Sequence, residues 1–207
     1  MSTKRLVVGI SGATGASYAI RLLEVLQTVP DIETHLVISS AAGQTIAQET
    51  DYTLKDVERL ATVTYRLHEI GAAISSGSFK TMGMIVVPCS MKTLSGIAQS
   101  FSDNLILRAA DVALKDRRRL VLVTRETPLH LGHLRLMVQV TEMGGMITPP
   151  MPAFYHRPQT LDDLINQTVN RLLDLFDIEL EQDLFTRWQG ITHSSSNERP
   201  KRRQGKR

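Results

Sequence analysis

The sequence predicts a single α/β domain built on a parallel β-sheet with helices packed on both faces. Three observations predict it. Short apolar runs without polar alternation recur along the chain. Apolar residues at helical spacing lie between them, and loops of small or hydroxylated residues follow several of the runs directly. A strand that reads as a continuous apolar run is covered on both sides, as it is in a parallel sheet held between helical layers.

The first run is LVVGI at residues 6–10, followed by the small-residue loop Ser11, Gly12, Ala13, Thr14, Gly15. Ala19, Leu22, Leu23 and Leu26 then recur at helical spacing until Pro30 closes the segment. HLVIS at residues 35–39 is a second strand, with a helix expected over residues 41–50. This strand–loop–helix–strand order indicates a Rossmann-like or flavodoxin-like sheet.

Residues 51–80 are less regular. Thr53 and Asp56 have the spacing of a capping box ahead of a short helix, and residues 75–78 (SSGS) read as a loop. MIVVP at residues 84–88 is a third core strand, leading through a CSMKT loop into one or two helices that run to about Lys115. LVLVT at residues 120–124 is a fourth strand, ending at Arg125 and Glu126. Thr127 and Pro128 are expected to set the N-cap and first-turn proline of the next helix. Residues 146–148 form a short last strand before a proline-rich loop to Pro158. Thr160 to Asp163 cap a final helix whose apolar face is Leu161, Leu164, Ile165, Val169, Leu172 and Phe176.

A chain of 207 residues is long enough to bury a substantial core in one domain. The formal net charge of +3 hides an asymmetry: residues 192–207 hold six Lys or Arg and one Glu, a balance of +5, which leaves −2 for the rest. The folded part is therefore slightly acidic, which argues against a nucleic-acid-binding domain, since that needs a basic face on the fold itself. Residues 191–207 are read as a separate, disordered basic tail, and residues 1–190 as the domain. The single cysteine, Cys89, allows no intramolecular disulfide. The apolar run after the charged opening is too short for a signal-peptide core, and no stretch approaches a membrane span, so a cytoplasmic protein is expected.

Chemistry is expected at the strand ends. The Gly12 to Gly15 turn has the form G-x-x-G, which suits either a phosphate or flavin approaching the backbone, or a tight turn with no ligand. The loop Ser90, Met91, Lys92, Thr93 offers hydroxyls and free helix-start amides. Cys89 beside it reads as a buried thiol, because nothing in the sequence around it lowers its pKa. Arg125 and Glu126 stand where open α/β sheets place their ligands. Arg108, Asp111 and Lys115 share a helix face, either as a phosphate site or as an ion-paired stripe; Tyr155 and Arg171 are another possible phosphate pair. His130 and His133 lie three apart without a third ligand, so capping or packing is expected, and no metal.

Taken together, these segments resemble the UbiX-type flavin prenyltransferases, within the superfamily of flavin-containing cysteine decarboxylases. The resemblance is carried by SGATGA at Ser11, HLVIS at His35, ETD at Glu49, SSGSF at Ser75 and PCSMKTLSGI at Pro88. RAADVALK at Arg108, RETPLHLGHLRLM at Arg125, PPMPAFYHRPQ at Pro149 and DLFTRW at Asp183 continue it, so it spans about residues 5–190. It implies transfer of a dimethylallyl group from dimethylallyl monophosphate to N5 and C6 of reduced FMN, without a metal. The product, prenylated FMN, is the cofactor of UbiD-type decarboxylases, including one of ubiquinone biosynthesis.

The resemblance further implies that FMN is held by Gly12, Ala13, Thr14, Ser39, Ser90, Met91, Lys92, Thr93 and Arg125. Arg108, Lys115, Tyr155 and Arg171 would grip the prenyl phosphate, with catalytic roles for Thr14, Glu49, Glu126 and Trp188. Many relatives carry serine where this chain has Thr14; the hydroxyl is retained. The family also implies a homo-oligomer, a dodecamer, with some site residues acting across subunits. The competing readings are a flavin-dependent decarboxylase of the same superfamily and a non-enzymatic flavin-binding subunit.

Overall fold

The LVVGI run lies within β1 (Lys4–Ile10), where every residue from Leu6 to Ile10 is buried. Leu6, Val8 and Ile10 join one core and Val7 joins another, so the strand is covered on both faces, as its unbroken apolarity requires. The computed structural model describes residues 3–190; the basic tail assigned to residues 191–207 lies outside them.

After β1 come α1 (Ala16–Thr28), β2 (Ile32–Ile38), α2 (Ser40–Glu49), α3 (Leu54–Arg59) and β3 (Val63–Tyr65). A 3₁₀ turn at Ala73–Ser75 precedes β4 (Gly83–Cys89), α4 (Met91–Ala98) and α5 (Leu105–Lys115). β5 (Arg119–Thr124), α6 (Leu131–Glu142), β6 (Met146–Ile147) and α7 (Leu161–Asp174) complete the order. All strand pairs are parallel, in the order β3-β2-β1-β4-β5-β6. The first three strands run outward from β1 in one direction and the last three in the other. The topological switch point therefore lies between β1 and β4, where such sheets open a crevice at their C-terminal edge.

One helical layer consists of α1, α2 and α7, whose Leu22, Leu23, Leu26, Ile46, Leu172 and Leu173 pack on Leu6, Val8, Leu36, Ile85 and Val121. The other is α4 and α5 with the end of α6, placing Leu94, Leu105, Ala110 and Val140 against Val7, Val37, Val86 and Leu122. Burying each Leu, Ile or Val contributes roughly 1.5–3 kcal/mol. β3 has no fully buried residue, so it is the weakly held edge of the sheet.

Several expectations are corrected. β3 was not foreseen, because three partly exposed residues (VTY) give no readable run. β2 begins at Ile32 and ends at Ile38, and Ser39 is the N-cap of α2, accepting from the Ala42 N–H. Thr127 and Pro128 do not start a helix. They form a cis peptide in the loop, and the cap of α6 is His130, whose Nδ1 accepts from the Gly132 N–H at 3.0 Å.

Leu161 does not belong to the apolar face of α7; it is 77% exposed at the first helical position. The helix packs through its C-terminal half, where Gln167, Val169, Asn170, Leu172 and Leu173 are buried. Asn170 is satisfied there because its Oδ1 accepts from the Leu184 N–H at 2.8 Å, which ties the irregular C-terminal segment to the helix. The capping boxes at Thr53/Asp56 and Thr160/Asp163 form as their spacing predicts.

Candidate functional site

At the switch point the ends of β1 and β4 are joined by Ser11, a residue the motif reading passed over. Its Oγ donates to the Pro88 carbonyl at 2.9 Å and accepts from the Ser90 N–H at 2.8 Å. A polar cross-link thus joins the G-x-x-G turn to the CSMKT loop at this edge. Ser90 caps α4, its Oγ accepting from the Thr93 N–H at 3.3 Å. The Arg125 N–H donates to the Cys89 carbonyl at 3.1 Å, which brings the end of β5 to the same edge.

Both glycines of the turn have a reason in the fold. A Cβ on Gly12 would come within 2.4 Å of the Ala41 Cβ at the start of α2, so only glycine permits that approach. Gly15 caps α1 at φ 110°, in the left-handed region. The turn alone therefore does not require a ligand; its surroundings carry that case. The first amides of α1, at Gly15 and Ala16, donate to Glu49 Oε2 at 2.9 and 3.0 Å. A carboxylate from the end of α2 thus sits on the positive end of α1.

Partial burial pushes the Glu49 carboxyl up. Hydrogen bonds from the Thr14 hydroxyl and the two amides, with the nearby Arg125 charge, outweigh that and hold it below its ordinary value. A depressed folded-state pKa contributes stability that is complete above the ordinary value of 4.5 and is lost as pH falls through the depressed one. The stability gap between the native protein and Glu49→Gln should therefore be widest at neutral pH and close as pH drops below 4.5. Urea midpoints across the acid range test this; a gap independent of pH would show that Glu49's charge contributes nothing.

Glu126 is exposed, and its Oε1 accepts from its neighbour's N–H, that of Thr127, at 3.0 Å. Cys89 is fully buried, and burial pushes its thiol far above the ordinary range, so it is packing and not a nucleophile at this edge. The His130 and His133 rings pack against each other, tilted by 33° with centroids 3.6 Å apart. Among the described residues no group of three or more His, Cys, Asp or Glu could hold a metal ion.

The remaining site candidates form two further groups. On α5, Arg108 Nη1 pairs with Asp111 Oδ2 at 2.7 Å, while Lys115 Nζ pairs with Asp116 Oδ1 at 2.8 Å. Near α7, Arg171 Nη1 pairs with Asp174 Oδ2 at 2.6 Å, and Asp174 is also gripped by both terminal nitrogens of Arg187 at 2.9 and 2.8 Å. Arg187 lies 5.8 Å from the Phe185 ring, and Tyr155 meets Phe185 and Trp188 edge-on, at 6.4 and 5.7 Å. Tyr155 and Arg171 thus belong to one connected cluster through intermediaries that sequence reasoning missed. Asp174 could have been found from its i+3 spacing to Arg171; Arg187 lies in an irregular segment without a period to flag it. Among the described residues, no hydrogen bond, ion pair or ring contact joins these two groups to the switch-point group within one chain.

Comparison with known proteins shows the family. The Flavoprotein family matches residues 1–169. The flavin prenyltransferase UbiX of Escherichia coli K12 is 66% identical over 187 residues, covering 90% of this chain and 99% of that protein. The chain belongs to the UbiX flavin prenyltransferase family. The UbiX of Thauera aromatica is 60% identical over 186 residues, covering 90% of this chain and 94% of its own.

Two solved UbiX structures share the fold. AnUbiX (PadA1), in complex with FMN and dimethylallyl pyrophosphate, superposes with a TM-score of 0.86 at 51% identity, covering 91% of this chain and 99% of that one. A dodecameric FMN-dependent UbiX-like decarboxylase from Escherichia coli O157:H7 superposes with a TM-score of 0.87 at 50% identity, covering 90% and 100%. The six-stranded parallel sheet with seven helices is thus the UbiX fold.

Proposed function

We propose that this protein transfers a dimethylallyl group from dimethylallyl monophosphate to N5 and C6 of reduced FMN, yielding prenylated FMN. The observation that carries the reading is the 66% identity, over 90% of the chain, to a flavin prenyltransferase. The site chemistry fits FMN. Helix N-termini at Ser39 and Ser90 follow strands β2 and β4 and suit an anionic ligand, that of α1 being taken by Glu49, and Arg125 adds a cation. Gly12, Ala13, Thr14, Ser39, Ser90, Met91, Lys92, Thr93 and Arg125 would hold it. Reduced FMN supplies the nucleophilic nitrogen and ring carbon.

The protein's own residues do the rest. Arg108, Lys115, Tyr155 and Arg171 stabilise negative charge on the departing phosphate, so no metal is called for. Trp188, 58% exposed, offers a π-face to the developing allylic cation. Glu126 accepts the proton released on ring closure with Thr14 as relay, and Glu49 accepts from the Thr14 hydroxyl and orients it. Fixing both reactants in register supplies the entropic part of the acceleration.

No contact among the described residues joins these groups within one chain, and neighbouring subunits of a homo-oligomer, a dodecamer like that of the E. coli O157:H7 relative, would complete the site. Support comes from exposed apolar side chains that subunit contacts would cover: Leu131, Leu134 and Val138 on α6, with Met151, Phe154 and Leu161, are 45–77% exposed. The product goes to a UbiD-type decarboxylase. The reaction belongs in the cytoplasm, where a reduced flavin persists. No helix among the described residues is long and apolar enough to cross a membrane.

The second reading, a direct flavin-dependent decarboxylase, is favoured by the description of one solved relative as a decarboxylase. Anaerobic incubation with reduced FMN and dimethylallyl monophosphate, followed by mass analysis of the flavin, separates the readings. A gain of C5H8 is expected. An unchanged flavin with carbon dioxide released from a test acid would overturn transfer in favour of decarboxylation; neither change would leave a flavin-binding subunit.

A further inference from the structure

The end of α5 carries more order than a solvated helix terminus requires. Asp116, its C-cap, is shared by two cations: Lys115 Nζ at 2.8 Å from Oδ1 and Arg118 Nη2 at 2.9 Å from Oδ2. Arg118 is anchored in turn, donating to the Gly77 carbonyl, to the Phe79 carbonyl at 2.8 Å and to Thr81 Oγ1 at 3.3 Å. Gly77 lies directly under the pair; a Cβ there would come within 2.5 Å of Asp116 Oδ2 and 2.8 Å of Lys115 Nζ. Two turns back, Arg108 Nε donates to the Ser75 carbonyl at 3.1 Å, and Arg108 pairs with Asp111. The segment from Ser75 to Thr81 is thus a platform over which three cations and two carboxylates are laid.

The hydrogen bond from Lys115, against some desolvation and with the charges of Lys115 and Arg118, holds the Asp116 carboxyl below its ordinary value, so it is ionised at neutral pH. Asp111 makes only an i+3 pair on the helix surface, whereas Asp116 binds two cations fixed against the backbone of another segment. Its negative charge is therefore part of the patch at neutral pH.

We propose that Asp116 is a specificity-determining residue, which tunes the Arg108–Lys115 patch to a phosphate monoester over the corresponding diphosphate. This rests on the reading that Arg108 and Lys115 grip the donor's phosphate. A phosphate monoester carries a charge of about −2 at neutral pH and its diphosphate about one more. With Asp116 in place, its one negative charge partly offsets Lys115 and Arg118 and repels a second phosphoryl group. Without it the patch gains a full positive charge, and the more highly charged donor benefits more. The relative in complex with dimethylallyl pyrophosphate makes the diphosphate the competitor to test.

The experiment compares kcat/KM for dimethylallyl monophosphate and diphosphate in the full-length protein, Asp116→Asn and Asp116→Glu. Asp116→Asn should shift the ratio toward the diphosphate by about tenfold, with FMN affinity unchanged. The shift should shrink at high salt, and Asp116→Glu should restore the native ratio. An unchanged ratio, or an equal fall with both donors, would overturn the proposal and make Asp116 structural. If the native protein prenylates FMN with neither donor, the transfer reading fails by itself. Calorimetry with inorganic phosphate and pyrophosphate on the same variants then still decides: a shift toward pyrophosphate in Asp116→Asn supports the charge filter, and no shift removes it.

Discussion

Glu126→Gln is expected to bind FMN as the native protein does and to form cyclised product about 10²–10⁴ times more slowly. The substitution keeps the side chain's volume. Its remaining amide oxygen can still accept from the Thr127 N–H, now 3.0 Å from Glu126 Oε1, so the loop after β5 is kept in place. Arg125 beside it is held through its own backbone N–H to the Cys89 carbonyl, independently of Glu126. What is lost is the capacity to take a proton. Rapid-quench analysis of prenylated flavin, with FMN affinity measured in parallel, checks this. Cyclised product at the native rate would remove Glu126 from the proton path and leave the departing phosphate as the acceptor.

The architecture was legible because a parallel sheet writes itself as apolar runs. β1, β4 and β5 were readable from residues 6–10, 84–88 and 120–124, and each is buried on both faces. β3 was not, since three half-exposed edge residues carry almost no burial signal. Thr127–Pro128 misled because a Thr-Pro pair has the chemistry of a helix start, while His130 uses a ring nitrogen for the same task. Leu161 misled because periodicity tells which residues share a face but not how far along the helix that face meets the core.

The site divides the same way. That the strand-end loops converge on one edge was legible, because parallel strands all end on the same side of the sheet. Of the counter-ions, Asp111 was legible beside Arg108, but those of Lys115 and Arg171 were not. Asp116 follows Lys115 directly and Asp174 sits three residues from Arg171, yet whether a carboxylate neutralises its neighbour or points away depends on backbone turns that sequence spacing does not encode. That is also why the α5 stripe stood undecided between phosphate site and surface ion pairs: in the folded chain it consists of ion pairs, and its cations are the ones assigned to the phosphate.

Arg171→Ala is the sharper test of that assignment, because this network separates function from stability. Asp174 loses one partner at 2.6 Å but keeps a bidentate grip from Arg187, which Asp183 also holds at 2.6 Å. The buried end of α7 is therefore not left with an unpaired carboxylate, and the exposed pair that is lost costs about 0–1 kcal/mol. A charge-assisted contact to a departing phosphate is worth far more, so kcat/KM for dimethylallyl monophosphate should fall about 10²-fold. FMN affinity should be unchanged. Arg187→Ala should show the opposite balance, a measurable loss of thermal stability, since it removes two hydrogen bonds to Asp174 and two to Asp183. If Arg171→Ala instead lowers the melting temperature as far as Arg187→Ala does, or weakens FMN and donor equally, Arg171 is a structural member of the cluster and the phosphate is held elsewhere.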